Sequence, residues 1–148
     1  YSSCLPPNGD LLKSFMVTRT PGSPNHQAIQ KMVQNHFEAL GWHFEVDRFT
    51  NYVRPLRRNM EFTNLIATAN PQAARRLVLA AHYDSKMFLN ERALQGEGFI
   101  GATDSAWSCA FLLQLATMLS PLPKNDYLSL QIVLFDGEES VSTWASDD

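Results

Sequence analysis

Leu128-Ser129-Leu130-Gln131-Ile132-Val133-Leu134-Phe135 is a largely apolar run that breaks at once into Asp136-Gly137-Glu138-Glu139. A run of this length and composition reads as an interior strand, because a sheet covered on both faces demands apolar side chains on both sides of the pleat. Leu77-Val78-Leu79-Ala80-Ala81 has the same character and ends in His82-Tyr83-Asp84-Ser85-Lys86. Between the two, the spacing of Trp107, Ala110, Phe111, Leu115, Met118 and Leu119 predicts a helix over 104–119 with those residues on its buried face, stopped by Pro121 and Pro123. Strand, helix and strand make a βαβ unit of an open α/β sheet. Residues just past the carboxyl ends of such strands converge on one crevice.

The remaining sequence arranges itself around that unit. Residues 1–22 are an irregular lead-in rich in Ser, Pro and Gly. Ser23-Pro24 supplies an N-cap and a proline at the first helical position. Ile29, Met32, Val33, Phe37 and Leu40 follow at helical spacing, and Gly41 ends the helix. His26 and His36, with no acidic partner in helical register, read as surface or boundary residues. Alternation of Trp42, Phe44 and Val46 predicts a strand, Glu61 to Thr68 another, and Asn51 to Asn59 a hairpin-like connection carrying Arg54, Arg57 and Arg58. The segment from Lys86 to Ile100 is longer than a connection needs to be, and such loops often carry function. The simplest organisation is one domain over 1–148.

Composition excludes several classes. At 148 residues and 45% hydrophobic content the chain can build a core. No stretch approaches the roughly 20 apolar residues of a membrane span. Residues 1–76 hold nine Lys and Arg against five Asp and Glu, whereas residues 77–148 hold three against ten. Acidic groups gathered beside the buried strands suit a cation better than a nucleic acid, and three arginines without stacking aromatics are a weak nucleic-acid signal. Two cysteines, Cys4 and Cys109, are too few for a disulfide framework or a thiolate metal site, and Cys109 lies in an apolar pattern where an inert buried thiol is the default, a disulfide with Cys4 being the alternative.

The chemistry lies in three acid-tipped segments. Read alone, Asp104 is an N-cap, and a strand-end Glu138-Glu139 is structural as often as not. Together with His82-Tyr83-Asp84 on a neighbouring element they point to a metal site. Adjacent carboxylates point in different directions, so one can bind a cation such as zinc while the other stays free as a base.

His82-Tyr83-Asp84-Ser85-Lys86, Gly101-Ala102-Thr103-Asp104-Ser105-Ala106 and Phe135-Asp136-Gly137-Glu138-Glu139 with Trp144, in that order, resemble the glutaminyl cyclases. These are glutaminyl-peptide cyclotransferases on the scaffold of the zinc aminopeptidases, and the resemblance runs from Pro21 to Trp144. It implies an α/β fold with a central mixed sheet flanked by helices on both faces. It also implies conversion of N-terminal Gln of peptides, and more slowly Glu, to pyroglutamate with loss of ammonia. Carried over by motif, Asp104 and Glu139 are zinc ligands, Glu138 the general acid/base, and Trp144 a wall of the substrate pocket. His82 is not counted as a ligand, since the resemblance implies a single zinc. The family's third ligand, a histidine, lies beyond Asp148, so the chain is expected to be an inactive N-terminal piece, incomplete at the C-terminal side of its sheet. Secreted members often bridge a cysteine at the position of Ala81 to the one matching Cys109, and that partner is absent here. The resemblance places the protein in the secretory pathway. The alternatives are a two-zinc aminopeptidase that uses His82 as a ligand, and a truncated non-catalytic homologue.

Overall fold

The computed structural model describes residues 9–88, 98–139 and 141. Helices α1 (Gly9–Phe15) and α2 (Pro24–Ala39) lead into β1 (His43–Val53), a 3₁₀ turn (Arg54–Leu56) and β2 (Arg58–Thr68). Strand β3 (Arg75–His82), a wide irregular turn (Ala102–Ala106), helix α3 (Trp107–Leu119) and β4 (Leu128–Phe135) complete it. The four strands form one sheet in the order β1-β2-β4-β3. Strands β1 and β2 are an antiparallel hairpin, β2 meets β4 antiparallel, and β3 runs parallel to β4. The sheet is therefore mixed, and β3-α3-β4 is the expected βαβ unit.

Helix α2 starts as its sequence predicts. Ser23 is extended and its side chain accepts from the His26 N–H, with Pro24 in the first turn. Gly41 follows at φ +70°, the left-handed conformation that ends helices. Helices α1, α2 and α3 share one core with the sheet, built on Phe15, Val33, Phe37, Leu65, Leu113 and Leu134. Each such side chain removed from water contributes about 1.5–3 kcal/mol.

Four expectations need correction, the first being that the lead-in which reads as irregular carries helix α1 over Gly9–Phe15. Strand β3 reads as interior, yet it is the edge strand of the described sheet, with Leu77 and Val78 half exposed. The predicted buried face of α3 is mostly the outer one. Trp107, Phe111, Met118 and Leu119 are exposed, whereas Cys109, Ala110, Leu112, Leu113 and Ala116 are buried. A helix apolar almost all round gives periodicity no contrast, so the small residues that permit close approach to the sheet decide the face instead. Helix α3 also begins at Trp107, not Asp104, because Asp104 and Ser105 have non-helical dihedrals.

Candidate active site

The acid-tipped segments meet at the carboxyl ends of β3 and β4, the register being set by the parallel pair His82–Phe135. The Tyr83 N–H donates to the Phe135 carbonyl at 2.9 Å, carrying the ladder one step further. His82 is held from both sides. Its Nδ1 lies 3.3 Å from Asp84 Oδ1 and its Nε2 2.8 Å from Asp104 Oδ1, with Glu138 Oε2 3.8 Å away. Burial pulls the imidazole down, but the hydrogen bonds to Asp84 and Asp104 and the charges of Asp84 and Glu138 outweigh it and push it up to about 9.

The adjacent glutamates have different surroundings. The Glu139 side chain is 9% exposed and lies 3.6 Å from Lys86 Nζ, while its N–H donates to Asp84 Oδ2 at 3.1 Å. Burial pushes its carboxyl up, with the charges of Asp104 and Asp84 adding to the effect and Lys86 and His82 opposing it. Glu138 is 51% exposed and lines a cavity of about 380 Å³ together with Ser85, Met87, Tyr52 and Phe62. Neighbouring positions thus give one shielded and one open carboxylate. Atoms of His82, Glu138 and Glu139 come within 4.8 Å of one another, close enough to hold one cation. Asp104 joins this set through His82, its side chain 70% exposed. The sequence-predicted residues Asp104, Glu138 and Glu139 are therefore brought to one edge, and Trp144 lies outside the described residues.

Two glycines permit this packing. Gly101 has φ +60°, and a Cβ there would strike the Asp104 carbonyl oxygen. Gly137 has φ +70°, and a Cβ would approach the Phe62 ring to 2.6 Å. A side chain at Gly101 would displace the Asp104 backbone and one at Gly137 the Phe62 ring, and both positions have the positive φ that favours glycine.

Sequence reasoning missed the supports beneath the site. His26 is buried, not on the surface: its Nε2 donates to Asp136 Oδ1 at 2.9 Å, and its ring stacks on Tyr83 at 4.8 Å. The Gly22 N–H and the Gln30 side-chain amide both face His26 Nδ1, which must accept, leaving Nε2 as the donor. Asp136 Oδ2 accepts from the Thr63 N–H at 2.8 Å, and the Asp136 N–H donates to Asn64 Oδ1 at 3.0 Å. The buried Tyr83 hydroxyl donates to the Thr63 carbonyl at 2.7 Å and accepts from Gln30. Its phenol is pushed far up, first by burial and then by the Asp136 charge.

Arg19 is fully buried and donates to the carbonyls of Tyr83, Ile100, Val17 and Phe15, tying the lead-in to the two loops that flank His82 and Asp104. Burial lowers its guanidinium, with Cys109 and Asp84 opposing. Ser85 locks the same junction, its hydroxyl accepting from the Arg19 N–H and its own N–H donating to the Arg19 carbonyl. Ser105 and Cys109 both donate to the His82 carbonyl. Cys109 is a free buried thiol pushed up to about 12, chiefly by burial, as its apolar setting predicts. An Asp directly after a strand was a visible signal for Asp136. Nothing local marks Arg19 or His26, whose partners are distant in sequence.

The glutaminyl-peptide cyclotransferase of Boiga irregularis is 40% identical over 148 residues, spanning 93% of this chain and 39% of its own length. A glutaminyl-peptide cyclotransferase-like protein of Bos taurus is also 40% identical, over 93% of this chain and 36% of its own length. The crystal structure of Macrostomum lignano glutaminyl cyclase superposes with a TM-score of 0.81 at 40% identity, over 94% of this chain and 40% of that one. The chain thus spans about two fifths of the length of the relatives it matches. The peptidase family M28 profile matches residues 64–146. That match starts on β2 and takes in β3, the Asp104 turn and the Glu138-Glu139 turn, so the chain belongs to peptidase family M28.

Proposed function

We propose that the full-length protein is a zinc-dependent glutaminyl-peptide cyclotransferase, closing N-terminal Gln of peptides to pyroglutamate with release of ammonia, and acting more slowly on Glu. The observation that carries this reading is the contrast between shielded Glu139 and open Glu138 on one edge with Asp104 and His82. Carboxylate oxygens beside an imidazole suit zinc. Asp104 and Glu139 would hold it, and it would supply a Lewis acid that polarises the side-chain amide of the substrate.

Glu138 does the proton work. Its carboxylate accepts a proton from the α-amine as that nitrogen bonds to the side-chain amide carbon. It then delivers the proton to the departing –NH₂, which leaves as ammonia. An exposed carboxylate with no hydrogen-bonded partner among the described residues is free to swing between the two nitrogens. Trp144 would form the apolar wall of the pocket. N-terminal Gln or Glu peptides are the partners. Secretory-pathway localisation rests on the likeness to the cyclotransferases alone, and no helix among the described residues is long and apolar enough to cross a membrane.

The test is mass spectrometry of a Gln-initiated peptide incubated with the full-length protein, with metal analysis of the same sample. One zinc per chain and loss of 17 mass units (about the mass of ammonia), abolished by chelation, are expected. The nearness of His82 to Glu138 and Glu139 favours a second reading, a two-zinc aminopeptidase. Two tightly bound ions and release of the first residue would establish that reading instead.

A further inference from the structure

A second cavity, of about 780 Å³, opens between the start of α2 and the β1–β2 hairpin. It shares Pro21 and Met87 with the cavity that Glu138 and Glu139 line, so the two form adjoining chambers. Its floor includes His26 and Thr63, both hydrogen-bonded to Asp136, two residues before Glu138. Its size is that of a site for a small ligand or a few residues of peptide.

Two features of its wall belong together. The first is charge. Arg48 and Arg58 line it, both exposed and neither ion-paired among the described residues, with Glu61 as the opposing carboxylate. The second is a free strand edge. Strand β4 pairs with β2 only over Leu65–Thr68, so β2 runs on past it toward Arg58. The Thr63 N–H and carbonyl point to that side, engaging Asp136 and Tyr83. By the two-residue period of a strand, the backbone groups of Glu61 and Asn59 face the same way. Among the described residues no strand pairs with them there.

We propose that this groove holds the peptide that follows the reacting N-terminal residue, pairing with the Asn59–Glu61 edge, and that Arg48 and Arg58 select acidic side chains there. The proposal rests on the cyclotransferase reading for its occupant. An extended peptide advances about 3.3 Å per residue, so the next few residues after the one at Glu138 reach the second chamber. Backbone pairing supplies affinity that is indifferent to sequence, and the arginines supply the discrimination.

The experiment uses the full-length protein and two C-terminally labelled pyroglutamyl peptides, which cannot react further, identical except for Asp or Lys at the third and fourth positions. Fluorescence anisotropy should show the Asp peptide binding about 3- to 10-fold more tightly, the scale of two partly exposed ion pairs. The gap should narrow as salt rises from about 50 to about 500 mM. It should close in R48Q/R58Q, and R58E should reverse its sign. Equal binding of the two peptides by the wild type, or a gap that survives in R48Q/R58Q, overturns the proposal. Ammonia release from the matching Gln-initiated peptides is measured in parallel. If it is absent while the arginine-dependent binding gap is present, the cyclotransferase reading fails and the acidic-peptide groove stands.

Discussion

Glu138 and Glu139 show how one peptide bond separates two kinds of carboxylate. Both follow β4, but only Glu139 is tucked under Lys86 and anchored through its N–H to Asp84. In the full-length protein, Glu138→Gln should keep zinc and fold while turnover falls about 10²–10⁴-fold, because the amide keeps the shape and loses the proton acceptor. Activity assays paired with metal analysis check this, and full activity with zinc retained would remove Glu138 from its role. His26 acts one layer below. With His26→Ala, the Asp136 carboxylate loses a buried N–H donor, which costs about 1.5–3 kcal/mol. Urea unfolding should read that loss, and His26→Gln, which can still donate, should recover part of it. A surface histidine would give neither effect.

At the scale of elements, the βαβ unit and the β1–β2 hairpin were legible because each is signalled locally: apolar runs, the Ser23-Pro24 start, Gly41, and Pro121 after α3. The three site segments were legible for the same reason, as polar residues directly after apolar runs. The buried face of α3 was not legible, because Trp107 and Phe111 look like core residues until Cys109, Leu113 and Ala116 are seen to take the contact with the rest of the core. Arg19 and His26 were hidden because their partners lie 64 and 110 residues away, at Tyr83 and Asp136. The Asp104 turn depends on Gly101. Gly101→Ala puts a Cβ against the Asp104 carbonyl at a left-handed φ and should cost about 1–3 kcal/mol. Because the carbonyl that must yield belongs to Asp104, zinc affinity of the full-length protein should fall along with its melting temperature. Isothermal titration with zinc distinguishes this from a purely global loss, which would leave the affinity of the folded fraction intact.

At the scale of the molecule, apolar surface and coordination lead to one expectation for residues 1–148 taken alone. Leu77 and Val78 on β3, and Trp107, Phe111 and Met118 on α3, are large apolar side chains between 43% and 53% exposed. Strand β3 is also an edge, with no strand on its outer side among the described residues. A long apolar edge is a template for pairing with another chain, and apolar patches of this kind promote association. Isolated residues 1–148 should therefore self-associate at micromolar concentration by sedimentation velocity, and Val78→Lys should reduce it by placing a charge on the edge. Metal binding by the same chain should be weak. A catalytic zinc ordinarily takes three protein ligands plus an open position, and the two ligands proposed above, Asp104 and Glu139, would fall one short. His82 can serve as the third only by giving up one of the carboxylates, Asp84 or Asp104, that face its two nitrogens. A Gln-initiated peptide incubated with residues 1–148 and zinc should then release ammonia no faster than in a chelated control. Metal-dependent release would mean that His82 leaves its carboxylates to complete the coordination.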